Sequence, residues 1–277
     1  MTTPALQFTL GLLLSALIGY VGYRRRSLSP SGVVGAVVLG TLIFGLGGLA
    51  WGTLLVVFFV SSSALSHFKA ARKAAVAEKF SKGGRRDLAQ ALANGGAAAL
   101  AAVGYAIWPH PVWWAGFVGA MAAVNADTWA TELGVLSRSQ PRLITTGRPV
   151  EAGTSGGLTR LGTLAALGGA VLIALVAAGF DLAAGQPPAR ALLLAGVAAL
   201  AGFLGALADS LLGASVQAIY VCERCGRETE RHPLHTDGGR TRHQRGWAWL
   251  NNDWVNFLSA AFASGLAAWL WTLLPKS

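Results

Sequence analysis

Charge is scarce in this sequence, and acid scarcer than base. Only 12% of its 277 residues are charged, whereas about a quarter would be in an ordinary soluble domain. Cysteine is rarer still: Cys222 and Cys225 stand alone, which excludes a disulfide framework. A Walker A sequence and a dinucleotide fingerprint are both missing, so the two commonest phosphate-binding signatures do not apply. The 12 acids face 22 Lys and Arg, for a net charge of +10. That excess does not point to nucleic acid, because the bases sit in short loops between apolar segments, the pattern of membrane topology. What the chain has in plenty is apolar surface, 53% of residues, with 36 glycines scattered through Ala- and Leu-rich runs. Small residues in that setting let transmembrane helices approach closely.

A helix needs about 20 apolar residues to cross the hydrocarbon core. Eight segments qualify, near 6–23, 32–49, 50–66, 90–108, 112–134, 160–180, 190–216 and 254–273. The expectation is an all-α polytopic bundle of about eight spans, with seven to nine as bounds, forming a single transmembrane domain over 1–277. The pair 32–49 and 50–66, with almost nothing between them, reads as either a hairpin or a re-entrant pair. The first run has no charged segment before it and no clear cleavage site after it, so it reads as a span and not a removable signal. With Arg24 to Arg26 inside, alternation puts 20 of the 22 Lys and Arg on one side, in the loops 24–31, 67–89, 135–159 and 217–253, counting Arg160 at the edge of the third. The positive-inside rule makes that side cytoplasmic and places both termini outside, in a plasma-membrane protein.

Ionisable residues inside a span are costly and mark functional sites by default. Asp127 and Glu132 lie in the fifth span, Asp209 and Ser210 in the seventh, and Asp253 and Asn256 open the eighth. The tripeptides 126–128 and 208–210 echo each other as Ala-Asp-Thr and Ala-Asp-Ser. Ser62, Ser66, Lys69 and Lys73 form one helical stripe running from membrane to loop, and Asp87, Gln90 and Asn94 form another. Acids ringed by bases suit either an ion-pair network or a divalent cation with phosphates. The many Asn and hydroxyl groups beside them favour Mg²⁺, held by Asp127, Glu132, Asp209, Asp253 and Asn256.

Two loops add chemistry. Residues 141–157 mix arginines, hydroxyls and glycines, a composition able to present backbone N–H groups to phosphate. Cys222 and Cys225, followed by His232 and His235, carry the ligand types of a tetrahedral zinc site, though a pair of reduced thiols fits as well.

The segments 85–96, 125–134, 151–157, 213–217 and 251–256 together resemble the membrane protein family that includes plant phytyl-phosphate kinase. More distantly, the order Asp127, Arg148 to Glu151, Asp209, Asp253 is similar to dolichol kinase and phosphatidate cytidylyltransferase, with Arg148 and Pro149 where those enzymes carry Lys and Thr. The resemblance implies transfer of the γ-phosphoryl group of a nucleoside triphosphate, CTP-like, to an isoprenyl phosphate. Asp127, Asp209, Asp253, Arg148 and Lys69 would then be catalytic. Nucleotide or lipid phosphates would fall to Arg148, Glu151, Gly153, Thr154, Ser155, Gly156, Lys73, Arg86 and Asn94. A cytidylyltransferase, a polyprenol kinase and a transporter or flippase of phosphorylated lipid are the other readings.

Overall fold

The computed structural model describes residues 3–77 and 84–274. The middle of the basic loop 67–89 and Lys276 therefore lie outside the described residues. Among the described residues eight helices have spanning length: α1 (Pro4–Arg24), α2 (Pro30–Gly47), α3 (Leu49–His67), α5 (Leu88–Ile107), α6 (Pro111–Gly134), α7 (Arg160–Ala183), α8 (Pro188–Ser215) and α9 (Asn252–Leu273). A short α4 (Ala70–Ala77) follows α3.

Local sequence sets where these helices begin. The side chains of Thr3, Ser29, Asp87, His110, Thr159 and Asn251 each accept a hydrogen bond from a first-turn N–H. Such caps satisfy groups that would otherwise be unpaired. Asp87 and Gln90 bond reciprocally as a capping box, so the stripe they share with Asn94 starts as a helix cap, not as a ligand set.

Six helices, α1, α2, α3, α7, α8 and α9, are long and apolar enough to cross a membrane. Helices α5 and α6 have the length but are less apolar, and for α6 the reason is its position. It packs on α3, α5, α7, α8 and α9, and every residue from Ala115 to Ala126 is buried. A helix enclosed by protein on all faces needs no lipid-facing apolar stripe.

Helices α2 and α3 are both of spanning length and are joined through Gly48 alone, at φ +81. A left-handed φ of this kind is open to glycine at little cost. This resolves the choice left by the sequence: two complete helices meet there, not a short re-entrant pair.

The all-α expectation needs one amendment. The loops hold five short strands among the described residues. β1 (Arg142–Leu143) pairs with β2 (Gly157–Leu158), and β3 (Ile219–Cys222) lies between β4 (Glu228–Thr229) and β5 (Thr241–Arg245). Pairing of this kind satisfies backbone groups in loops too long to be simple turns.

The basic loops come together at one end of the bundle. Arg86 N–H donates to the Ser27 carbonyl at 3.0 Å, and Ser29 N–H donates to the Arg86 carbonyl at 2.9 Å. Across the bundle end, Ser155 Oγ donates to Gln217 Oε1 at 3.1 Å.

Candidate active site

Two spans deliver the central pair of acids. The side chains of Asp127 on α6 and Asp209 on α8 lie against each other, and Ser259 on α9 donates to Asp209 Oδ2 at 3.1 Å. Their depths agree. Asp127 lies seven residues before Gly134 at the end of α6, Asp209 six before Ser215, and Ser259 seven after Asn252. At 1.5 Å per residue each is about 10 Å from its basic-loop end. The two echoing tripeptides are thus the two halves of one contact.

Glycines bring the acids within reach of each other. A Cβ on Gly202 would stand 2.5 Å from Ala122 Cβ, and one on Gly205 would stand 2.6 Å from Ala123 Cβ. Any side chain larger than hydrogen would force α8 away from α6.

Loop residues complete the surround. Glu230, just after β4, lies near enough to act electrostatically on both Asp127 and Asp209. Gln217 donates from Nε2 to Glu230 Oε1 at 2.8 Å while accepting from Ser155. Gly156 sits against α8, where a Cβ would come within 2.7 Å of the Ser210 carbonyl. The glycine loop therefore rests directly beside the second acid.

Farther along α6, Glu132 belongs to a different cluster. Its carboxylate takes hydrogen bonds from Ser66 Oγ and Lys73 Nζ, each at 2.5 Å. Arg86 donates to Ser63 Oγ at 3.1 Å, and burial lowers its pKa while Glu132 opposes that shift. Arg86 and Asn94 also line an apolar cavity of about 320 Å³ between α1, α2, α3 and α5, walled by residues such as Leu39, Phe44 and Phe59. A charged head and an apolar hollow thus share one space.

Asn125, fully buried, is structural cement. Its Oδ1 accepts from Ser61 Oγ at 3.0 Å and its Nδ2 donates to the Gly169 carbonyl at 2.8 Å, tying α3, α6 and α7 together.

Other expected residues are placed as follows. Arg148 and Glu151 are exposed on the loop between β1 and β2, with Gly153 and Thr154 half-buried beside Ser155. Lys69 is exposed, its ammonium 4.9 Å from the centre of the Phe68 ring. Asp253 and Asn256 are half-buried in the first turns of α9, on the loop side of Ser259.

The thiol loop differs from expectation in one ligand. Cys222, Cys225, His235 and Asp237 each offer an atom, all within 4.8 Å of one another. His232 lies outside the cluster, stacked on Tyr220 with ring centres 4.5 Å apart and bonded to Thr241. Spacing alone made His232 a candidate, whereas in the structure its ring packs on Tyr220.

Sequence reasoning missed Glu230, Gln217 and Asp237. Glu230 lies in an ordinary polar stretch, and Gln217 ends the 213–217 motif without an ionisable group to mark it; only the docking of the β3 sheet brings the two together beside the acids. Asp237 did carry a signal, the Asp-Gly-Gly turn that follows His235.

These features define a polytopic helical membrane protein with paired, half-buried acids beneath a basic loop face. The chain belongs to the family described as integral membrane protein DUF92, matched over residues 13–264. This is the family to which the motif set points. It is 34% identical to Protein PGR of Arabidopsis thaliana, with 96% of this chain and 97% of that protein aligned. An uncharacterized membrane protein of Methanocaldococcus jannaschii is 35% identical, over 73% of this chain and 80% of that one. Protein VTE6, chloroplastic, of Arabidopsis thaliana is 30% identical, over 87% of this chain and 64% of that protein. No solved structure matches the chain.

Proposed function

We propose that this protein is an isoprenyl-monophosphate kinase, transferring the γ-phosphoryl group of a CTP-like nucleotide to a phytyl- or geranylgeranyl-type phosphate. The observation that carries this reading is the contact of Asp127 with Asp209 near the basic-loop end of the bundle, together with an apolar cavity among α1, α2, α3 and α5 whose lining includes Arg86 at that end. The motif resemblance to phytyl-phosphate kinase supports it.

The chemistry suits these residues. A phosphomonoester has a second pKa near ~6, so its oxygen is already anionic at neutral pH and needs no general base. That oxygen attacks the γ-phosphorus, the bond to the bridging β,γ-oxygen breaks, and the nucleoside diphosphate leaves with the electron pair. What must be overcome is repulsion between two anions, and positioned charge does that in phosphoryl transfer.

Asp127, Asp209, the Ser259 hydroxyl and the nearby Glu230 are all oxygen donors, the set that suits hard Mg²⁺. When bound there, Mg²⁺ would neutralise phosphate charge. Asp253 and Asn256 would support the ion from the loop side, and the 153–156 segment with Arg148 would hold nucleotide phosphates. Arg86 would meet the prenyl phosphate, with its tail in the cavity, whose size falls in the ~300–1,000 Å³ range of small-ligand pockets. Glu132 would hold Lys73 in place at this boundary.

VTE6 is named as chloroplastic, so the basic side is read as the face from which the chain is inserted, not as a plasma-membrane address.

The test uses purified protein with geranylgeranyl phosphate and, in parallel, CTP, ATP, GTP and UTP. The expected product is the prenyl diphosphate, lost by about 10²–10³-fold in Asp127→Asn and Asp209→Asn. Release of pyrophosphate with a CDP-lipid would instead identify a cytidylyltransferase. Absence of any product, with lipid phosphate moved across proteoliposomes, would identify a transporter.

A further inference from the structure

We infer that Cys222, Cys225, His235 and Asp237 bind one zinc ion, and that this ion fastens the β3–β5 sheet over the intramembrane acids. The ligand identities are those of tetrahedral zinc: two thiolates, an imidazole and a carboxylate. The spacings agree as well. Zinc bonds of about 2.0–2.3 Å place the corners of a tetrahedron about 3.3–3.8 Å apart. Cys222 Sγ lies 3.5 Å from Asp237 Oδ1, Cys225 Sγ 3.7 Å from His235 Nδ1, and His235 Nδ1 3.3 Å from Asp237 Oδ1.

Two facing turns present these groups, one pair of ligands each. In the first, Gly226 at φ +71 lets its N–H donate back to the Cys222 carbonyl at 2.8 Å. In the second, Gly238 at φ +74 donates to the His235 carbonyl at 3.1 Å. Between them Gly239 leaves the necessary room: a Cβ there would lie 2.8 Å from Cys222 Sγ. Its N–H also donates to Asp237 Oδ1 at 2.8 Å, orienting the carboxylate as outer-shell partners of metal ligands do. Cys222 and His235 are buried while Cys225 and Asp237 are exposed, so a metal ion can enter from the aqueous side.

The consequence reaches the candidate active site. Cys222 ends β3, whose neighbour β4 is followed directly by Glu230. The sheet is held to α8 through Arg245, which donates to the Gly213 and Ala214 carbonyls at 3.1 and 3.2 Å. Zinc at the far end of the sheet would hold β4, and with it Glu230, over Asp127 and Asp209. Zinc binding stands on the loop geometry alone, whereas the role of Glu230 rests on the kinase reading.

Full-length protein purified in detergent should contain about one zinc per chain by elemental analysis. Cobalt substitution should give thiolate-to-metal charge-transfer absorption with tetrahedral d–d bands. His232→Ala should keep the metal. Cys225→Ser and His235→Ala should lower affinity by about 10-fold or more, since even outer-shell partners cost ~10–100-fold. Iron in place of zinc, no metal and no cobalt bands in the wild-type protein, or metal lost in His232→Ala but kept in His235→Ala, would each overturn the proposal. The wild-type cobalt spectrum needs no variant to fold, and neither it nor metal content depends on turnover.

Discussion

At the level of single residues, the polar groups inside this membrane protein divide by whether their bonding capacity is already used. Asn125 is spoken for by Ser61 and the Gly169 carbonyl. Glu132 is held by Lys73 and Ser66. Asp127 and Asp209 face one another, and two carboxyl groups side by side are stabilised either by a shared proton or by a nearby cation. Asn125→Ala should therefore act on stability and spare the chemistry. Interhelical hydrogen bonds in membranes average about 0.6 kcal/mol and reach about 1.7. Two such bonds put the expected loss near 1–2 kcal/mol, read as a lowered thermal midpoint in detergent with per-molecule turnover retained.

At the level of helices, close approach is achieved through missing side chains. Helix α8 lies on α6 through Gly202 and Gly205, and α9 on α6 through Gly119, where a Cβ would stand 2.5 Å from Ala267 Cβ. Overpacking such a contact typically costs about 1–3 kcal/mol. Gly205→Val should push α8 off α6, separate the acids and reduce turnover by about 10-fold or more, as expected for misplacement of reacting groups by ~1 Å. Gly196 lies on the same helix with nothing within 4 Å. Gly196→Val is the control and should leave both turnover and thermal midpoint unchanged. Equal loss in the two variants would mean that a branched side chain anywhere on α8, not the α6–α8 contact, governs the effect.

On the scale of the whole molecule, the basic loops and the acids beneath them share one end of the bundle. Topology follows, and it can be measured independently of any activity. A cysteine placed at Gly185, in the turn between α7 and α8, should react with a membrane-impermeant maleimide added outside sealed membrane vesicles whose basic-loop face is inward, in a background where Cys222 and Cys225 are Ser. A cysteine at Arg148 should react only after permeabilisation. Labelling of both from the same side would reverse or break the alternation of spans.

Much of this was legible along the chain, because hydropathy, loop charge and capping residues act over a few neighbouring positions. The helices of spanning length, the basic loops and the depth of Asp127 and Asp209 all follow from such local terms. Which groups meet does not, since it depends on helix rotation and on sub-ångström room at Gly202, Gly205 and Gly156. That packing joined Asp127 to Asp209, left Glu132 to Lys73, brought Glu230 in from a distant loop and exchanged His232 for Asp237. Cost in the bilayer is written residue by residue, whereas coordination requires several chain segments to arrive at one point, and only the packed bundle specifies that point.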